Sequence, residues 1–144
     1  MTGLGIAGFA LVTGGGSGIG RATSLLLAQE GCTGLALADV NQDGMKNVKE
    51  ELQKIATNSS FQCITILVDV RDAASVKSMI DETVRTFGRL DYAVNCAGIG
   101  LKKPFGETDI EEWNRMIAIN LTGVFSCVKE ETLQMLKQEP PTSK

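Results

Sequence analysis

Four short apolar runs alternate with segments whose apolar residues recur every three or four positions, and this alternation constrains the fold most. Residues 9–12 are followed by a cluster of glycines and then by a helical stretch through Leu25, Leu26 and Leu27 to Gly31. Residues 35–38 end at Asp39, after which Met45, Val48, Leu52 and Ile55 mark one face of a helix. The loop "TNSS" leads to residues 63–68, a third strand-like run ending at Asp69. Val76, Ile80, Val84 and Phe87 mark the next helix, with Gly88 as its stop. Residues 92–94 end at Asn95. In "TDIE", Thr108 and Glu111 predict a capping box that opens a last helix. That helix carries Trp113, Ile117, Val124 and Val128 on one side and reaches about Lys137, before Pro140 and Pro141. Strand and helix in strict alternation predict an α/β fold: a parallel sheet with helices on both faces.

Composition narrows the function classes. The chain has 144 residues, 43% hydrophobic and 22% charged, which predicts one globular domain over residues 1–144. A net charge of -3 weighs against a nucleic-acid partner, whose phosphates demand Lys and Arg. No apolar run reaches the length of a membrane span, so no membrane partner is expected. The N-terminus lacks a basic stretch followed by an apolar one, so no signal peptide is expected. Cys32, Cys63, Cys96 and Cys127 lie far apart, which suits free thiols in a reducing, cytoplasmic location. Histidine is absent and no C-x-x-C occurs, so neither an imidazole-activated nucleophile nor a metal site is expected.

The glycine cluster "VTGGGSGIGR" stands where a strand hands over to a helix, and five of its ten residues are glycine. No frame fits G-x-G-x-x-G. The phosphate loop G-x-x-x-x-G-K-[ST] nearly fits from Gly15 to Gly20, but Arg21 and Ala22 replace the lysine and the magnesium-binding hydroxyl. A tight turn without a ligand is the plain alternative. The amides and positive dipole at a helix N-terminus favour a pyrophosphate, and Ser17 offers a hydroxyl to it. Side chains at Gly14, Gly18 or Gly20 would block close backbone approach or helix packing.

Asp39 ends the second run nineteen positions after Gly20, where a carboxylate can bond ribose hydroxyls. It would repel a 2′-phosphate and no Arg follows it in "DVNQ", so NAD(H) is favoured and NADP(H) possible. A helix cap is the plain role for such an Asp, and the two roles are compatible. The same stretch, from Asp39 through Asn41, Asp43 and Gly44 to Glu50, matches a calcium-loop pattern. Against it, the run before Asp39 reads as a strand where the calcium loop needs a helix, and Lys46 takes a normally apolar position.

Asn120 falls by helical counting from Trp113 and Ile117 on the apolar face, where an unpaired amide costs about 1–3 kcal/mol. Its plain reading is an amide satisfied by neighbouring backbone.

The pattern Thr13-Gly14-x-x-x-Gly18-Ile19-Gly20 resembles the short-chain dehydrogenase/reductase family. Asp69-Val70 after the third run, Asn95-Cys96-Ala97-Gly98 after the fourth, and Asn120 within "IAINLTGVF" extend the resemblance through almost the whole chain. It implies a Rossmann-type doubly wound sheet of strand order 3-2-1-4, N-terminal part only, with the last strand left as an edge. It also implies cofactor contacts from Gly14, Ser17, Gly18, Ile19, Gly20, Asp39, Asp69, Val70, Asn95, Ala97 and Gly98, and a catalytic role for Asn120 in ordering a water. Cys96 stands where the family has a second Asn. The implied activity is NAD(P)-dependent hydride transfer on a small alcohol or ketone, in a homo-oligomeric parent protein. The family's catalytic Ser and Tyr-x-x-x-Lys have no counterpart, since the one tyrosine is Tyr92 and Cys96 stands four residues on. The expectation is therefore a cofactor-binding part incomplete at its C-terminus, with a catalytically inactive nucleotide-binding remnant as the alternative.

Overall fold

A computed structural model describes residues 5–140. Pro141 and the first four residues, part of the stretch where no signal peptide is expected, lie outside them. The strands are β1 (Phe9–Thr13), β2 (Gly34–Asp39), β3 (Gln62–Leu67) and β4 (Tyr92–Asn95). All pair in parallel, in the expected order β3-β2-β1-β4. The helices are α1 (Gly18–Gln29), α2 (Gln42–Ile55), α3 (Ala73–Phe87), α4 (Ile110–Ile117) and α5 (Val124–Met135).

Side chains alternate across a strand, and here each parity meets its own pair of helices. Ala10, Val12, Leu35 and Leu37 pack with Leu27 and Ala28 of α1 and with Met45, Val48 and Leu52 of α2. Leu11, Ala36, Ala38 and Ile66 pack on the other face with Val76, Met79 and Ile80 of α3 and Cys127 of α5. Buried on both faces, β1 and β2 read as continuous apolar runs for this reason. Local chemistry sets the helix ends. Asn41 Oδ1 accepts from the Gly44 amide at 3.0 Å, Asp72 Oδ1 accepts from the Ala74 amide at 2.9 Å, and Gly88 ends α3 at φ 82°.

One alternative falls away and one expectation is corrected. The calcium-loop reading fails because residues from Gln42 onward are helical and Asn41 is occupied as the α2 cap, so no loop spans Asp39 to Glu50. The cap of α4 is Asp109, whose Oδ1 accepts from the Glu112 amide at 2.8 Å. Thr108 instead donates its hydroxyl to the Pro104 carbonyl at 3.2 Å, closing the short turn Phe105–Glu107 that precedes the helix.

The last helix is also not uniform. A π-helical turn, Ala118–Gly123, joins α4 to α5. Such a turn takes up one more residue than an α-turn, so positions counted across it at α spacing fall out of phase. Gly123, Cys127 and Glu131 are the buried positions, while Trp113 and Val128 are 40% and 47% exposed.

Candidate functional site

The strands point their C-terminal ends into a cleft of about 500 Å³. Gly14, Ser17, Gly18 and Ile19 line it from the glycine turn, Asp39 from the end of β2, Asp69 and Val70 from after β3, and Ala97 and Gly98 from after β4. Nine of the residues singled out in the sequence thus converge on one space. Gly20, Asn95 and Asn120 stand outside the lining; Gly20 and Asn120 touch residues in it, and Asn95 reaches Ala97 through Thr13.

The turn is built by close backbone approach. Gly14 has φ +65°, and a Cβ there would lie 2.7 Å from both the Ala97 amide and the Cys96 carbonyl. A Cβ on Gly20 would collide with the Gly14 carbonyl, so α1 starts in backbone contact with the turn that precedes it. Gly18, at φ +52°, differs: a Cβ there would meet nothing within 4 Å. Its front is open space. Ser17 caps α1 in extended conformation without a side-chain hydrogen bond, and Ile19 is 78% exposed beside it. The helix therefore presents its positive end, an open glycine and an uncommitted hydroxyl to the cleft.

Asp39 is tied to this turn. Its Oδ2 accepts from the Gly16 amide at 2.9 Å and its Oδ1 from the Asn41 amide at 3.0 Å. Asn41, not Asp39, caps α2, which removes the plain helix-cap role for Asp39. Asp69 faces Arg71, whose Nε lies 2.9 Å from Oδ1 and whose Nη2 lies 2.5 Å from Oδ2. The guanidinium holds the Asp69 carboxyl below its ordinary range. Val70 is buried, and a Cβ on Gly123 would come within 2.7 Å of its Cγ2, so the π-turn rests directly on the cleft wall.

Behind the cleft, Thr13 and Asn95 are register partners on β1 and β4. Thr13 donates its hydroxyl to Asn95 Oδ1 at 3.2 Å and receives the Ala97 amide at 3.4 Å. Asn120 is exposed rather than on a buried face, because it falls within the π-turn and among the described residues no element covers it. Its amide is nevertheless satisfied: Nδ2 donates to the Ile99 carbonyl at 2.8 Å, and Oδ1 accepts from the Ile99 amide at 2.9 Å. Ile99 lines the cleft, so Asn120 holds its rim.

Sequence reasoning missed Arg71, Cys96 and Arg115, which also line the cleft. Arg71 carried a signal, a cation two residues beyond Asp69 at a strand end. Arg115, on α4, carried none; among the described residues no carboxylate pairs with it. Burial pushes the Cys96 thiol up.

A parallel sheet of order 3-2-1-4 with alternating helices and a glycine turn between β1 and α1 defines a Rossmann-type frame. The short chain dehydrogenase family model matches residues 8–141, and the chain belongs to that family. It is 39% identical over 137 residues to the short-chain dehydrogenase anuF of Penicillium roqueforti, covering 94% of this chain and 50% of that protein. It is 37% identical over 139 residues to chanoclavine-I dehydrogenase of Aspergillus fumigatus, covering 92% and 52%. Among solved structures, an NAD+-bound xylitol dehydrogenase superposes with TM-score 0.82 at 32% identity, covering 90% of this chain and 48% of that one. Levodione reductase superposes with TM-score 0.81 at 34% identity, covering 90% and 50%. The likeness establishes the Rossmann-type fold, and the chain spans about half the length of the relatives it matches. Among the described residues no helix is long and apolar enough to cross a membrane.

Proposed function

We propose that this chain is the cofactor-binding part of an oxidoreductase that transfers hydride between a nicotinamide dinucleotide and a small alcohol or ketone. The observation that carries the reading is the open N-terminus of α1, where Gly18 has no neighbour within 4 Å of a Cβ and the Ser17 hydroxyl is free of the cap. A pyrophosphate fits that place by charge and by close backbone approach. Asp39 has lone pairs left for the ribose hydroxyls after serving Gly16 and Asn41, which favours NAD(H) over NADP(H). Asp69 and Val70 would border the adenine, and Ala97 and Gly98 the adenosine ribose. The cleft volume of about 500 Å³ suits a cofactor site of this kind. The nicotinamide, when bound, supplies or accepts the hydride; the chain's part is to hold and orient the dinucleotide. Asn120 supports the rim through Ile99 and is the residue assigned to water ordering.

The free thiols Cys32, Cys63, Cys96 and Cys127 agree with a cytoplasmic protein. The uncovered outer edge of β4 and the exposed Leu121, Phe125 and Val128 support a homo-oligomeric parent. For these 144 residues by themselves, the one tyrosine favours nucleotide binding without turnover, because Tyr92 donates its hydroxyl to the Ala7 carbonyl at 3.0 Å. Calorimetric titration of NADH and NADPH into the chain and into Gly18→Val tests the site. NADH is expected to bind the unmodified chain more tightly than NADPH and to be lost in the variant, both proteins being shown folded by circular dichroism. Equal NADH affinity in the two proteins refutes the assignment.

A further inference from the structure

Glu131 is the least explained residue of the fold. It lies on α5 at 4% exposure, beside Cys127 in the apolar layer between the helix and the sheet. Its Oε1 has no hydrogen-bond partner. Burying a half-satisfied carboxyl costs stability, and an apolar side chain in that position would pack without this cost. What the carboxyl does have is one good bond: Asn95 Nδ2 donates to Oε2 at 2.8 Å.

From Asn95 the contacts run without a gap into the cleft. The other end of the same amide, Oδ1, accepts from the Thr13 hydroxyl at 3.2 Å, and that hydroxyl receives the Ala97 amide at 3.4 Å. The Cys96–Ala97 peptide is in turn the surface on which Gly14 rests, since a Cβ on Gly14 would come within 2.7 Å of it. The Thr13 hydroxyl has one proton, given to Asn95 Oδ1, and so its lone pair is free for the Ala97 amide. That polarity holds only while Asn95 turns its Nδ2 towards α5. A flipped amide would face Thr13 with a donor and leave the hydroxyl proton no acceptor. Glu131 is an acceptor on the far side, and it forbids the flip.

We infer that Glu131 is a positioning residue, which orients the Asn95 amide and through Thr13 sets the Ala97 and Gly14 backbone against which the dinucleotide lies. The inference rests on the proposed cofactor site for its consequence, but not for the chain of hydrogen bonds itself. Glu131 touches neither cofactor nor substrate. Its role needs an acceptor and not a charge, so glutamine replaces it and methionine does not.

Two readouts separate this role from simple support of the fold. In ligand-free protein, the backbone amide resonances of Ala97 and Gly14 and the side-chain amide of Asn95 are followed by ¹⁵N NMR in wild type, Glu131→Gln, Glu131→Met and Thr13→Val. The Gln variant is expected to leave the Ala97 and Gly14 resonances in place, and the Met and Val variants to move them together. NADH titration by calorimetry is expected to show Gln within about twofold of wild type, and Met and Val each weaker by about fivefold to tenfold. The Met–Val double variant is expected to lose no more than either single one, because both cut one chain. Unmoved Ala97 and Gly14 resonances in a folded Met variant overturn the inference, as does a Gln variant that behaves like Met. Should Met not fold, Gln and Val alone decide it: opposite behaviour supports the inference and like behaviour overturns it. If wild type fails to bind NADH, the cofactor reading falls, while the resonances still decide the role of Glu131.

Discussion

Asn120 and Ile99 form a two-bond clasp: the Asn120 side chain copies the hydrogen bonding of a neighbouring strand, donating to the Ile99 carbonyl at 2.8 Å and accepting from its amide at 2.9 Å. The segment after β4 has no strand partner there, so this side chain supplies one. It stands at the middle of the π-turn, which is what brings it to the rim. Asn120→Ala is expected to lower stability by about 1–2 kcal/mol and to speed hydrogen exchange at the Ile99 amide. Asn120→Asp is expected to be worse at neutral pH, since a carboxylate cannot donate to the Ile99 carbonyl. Unchanged exchange at Ile99 in either variant refutes the clasp.

Gly18 and Gly20 are expected to fail differently on substitution. Gly20→Ala places a methyl group against the Gly14 carbonyl and must move α1, a cost of about 3 kcal/mol or more, read as a lowered urea midpoint. Gly18→Ala meets no atom and loses only what its left-handed backbone costs, roughly 1–2 kcal/mol. Its main effect is expected on NADH affinity. A Gly20→Ala chain as stable as the unmodified one refutes the packing argument.

Asp39 joins the glycine turn to the second strand, and so Asp39→Ala is expected to act twice. The Gly16 and Asn41 amides lose their acceptor, lowering stability by about 1–2 kcal/mol. NADH affinity falls while the preference over NADPH narrows, because the carboxylate no longer repels a 2′-phosphate. Competition titration of the two cofactors measures the ratio. A wild-type chain that prefers NADPH contradicts the assignment.

The sheet was legible because a strand of a covered parallel sheet leaves a short apolar run in the sequence, and polar Thr13, Asp39, Asp69 and Asn95 mark where the four runs stop. Gly14 and Gly20 were legible for a similar reason, since backbone contact leaves glycine as the only residue that fits. The last helix was not. Apolar spacing from Trp113 to Val128 records a face suited to burial, but nothing in a residue's identity announces a π-turn, and among the described residues no element covers that face. Glu131 is a different case: it stands seven residues after Val124 and three after Val128, so helical counting already places it on the apolar face, and only its bond to Asn95 needed the structure. The partners of Asp69 and Asn95 also escaped, being set by tertiary distance and not by spacing.

Burial lifts the Glu131 carboxyl above its ordinary value of 4.5, an effect the Asn95 bond offsets only in part. Cys127 faces it from one turn earlier on α5, Lys129 and Glu130 lie outside the buried positions of that helix, and the buried residues of α3 and the π-turn carry no charge. As pH rises from about 4.5, the unfolded chain releases this proton first and the folded chain keeps it. Stability attributable to Glu131 is therefore present at acid pH, lost as pH rises through the folded value, and level above it. Glu131→Gln lacks this loss. Urea melts at a series of pH values are expected to show the variant gaining on wild type between acid and neutral pH. The carboxyls of Asp69, Glu51 and Asp109, all lowered by their partners, are common to both proteins and cancel in the difference. A difference that stays constant with pH contradicts the raised value.

Proton chemistry sets the last expectation. Hydride transfer to a carbonyl needs a proton at the oxygen, and a positioned acid contributes roughly 10²–10⁴-fold to the rate. Tyr92 is the only phenol in the sequence, its hydroxyl is bonded to the Ala7 carbonyl at 3.0 Å, and Cys96 occupies the position where a lysine would lower its pKa. Asn120 gives one amide hydrogen and its oxygen to Ile99, and a carboxamide is too weak an acid to protonate a carbonyl product. The 144-residue chain is therefore expected to bind NADH without oxidising it. The assay follows NADH absorbance with the purified chain and a panel of ketones and quinones, beside an enzyme-free blank and Asn120→Ala. Turnover above the blank that disappears in Asn120→Ala would place an acid among these residues and overturn the separation of binding from chemistry.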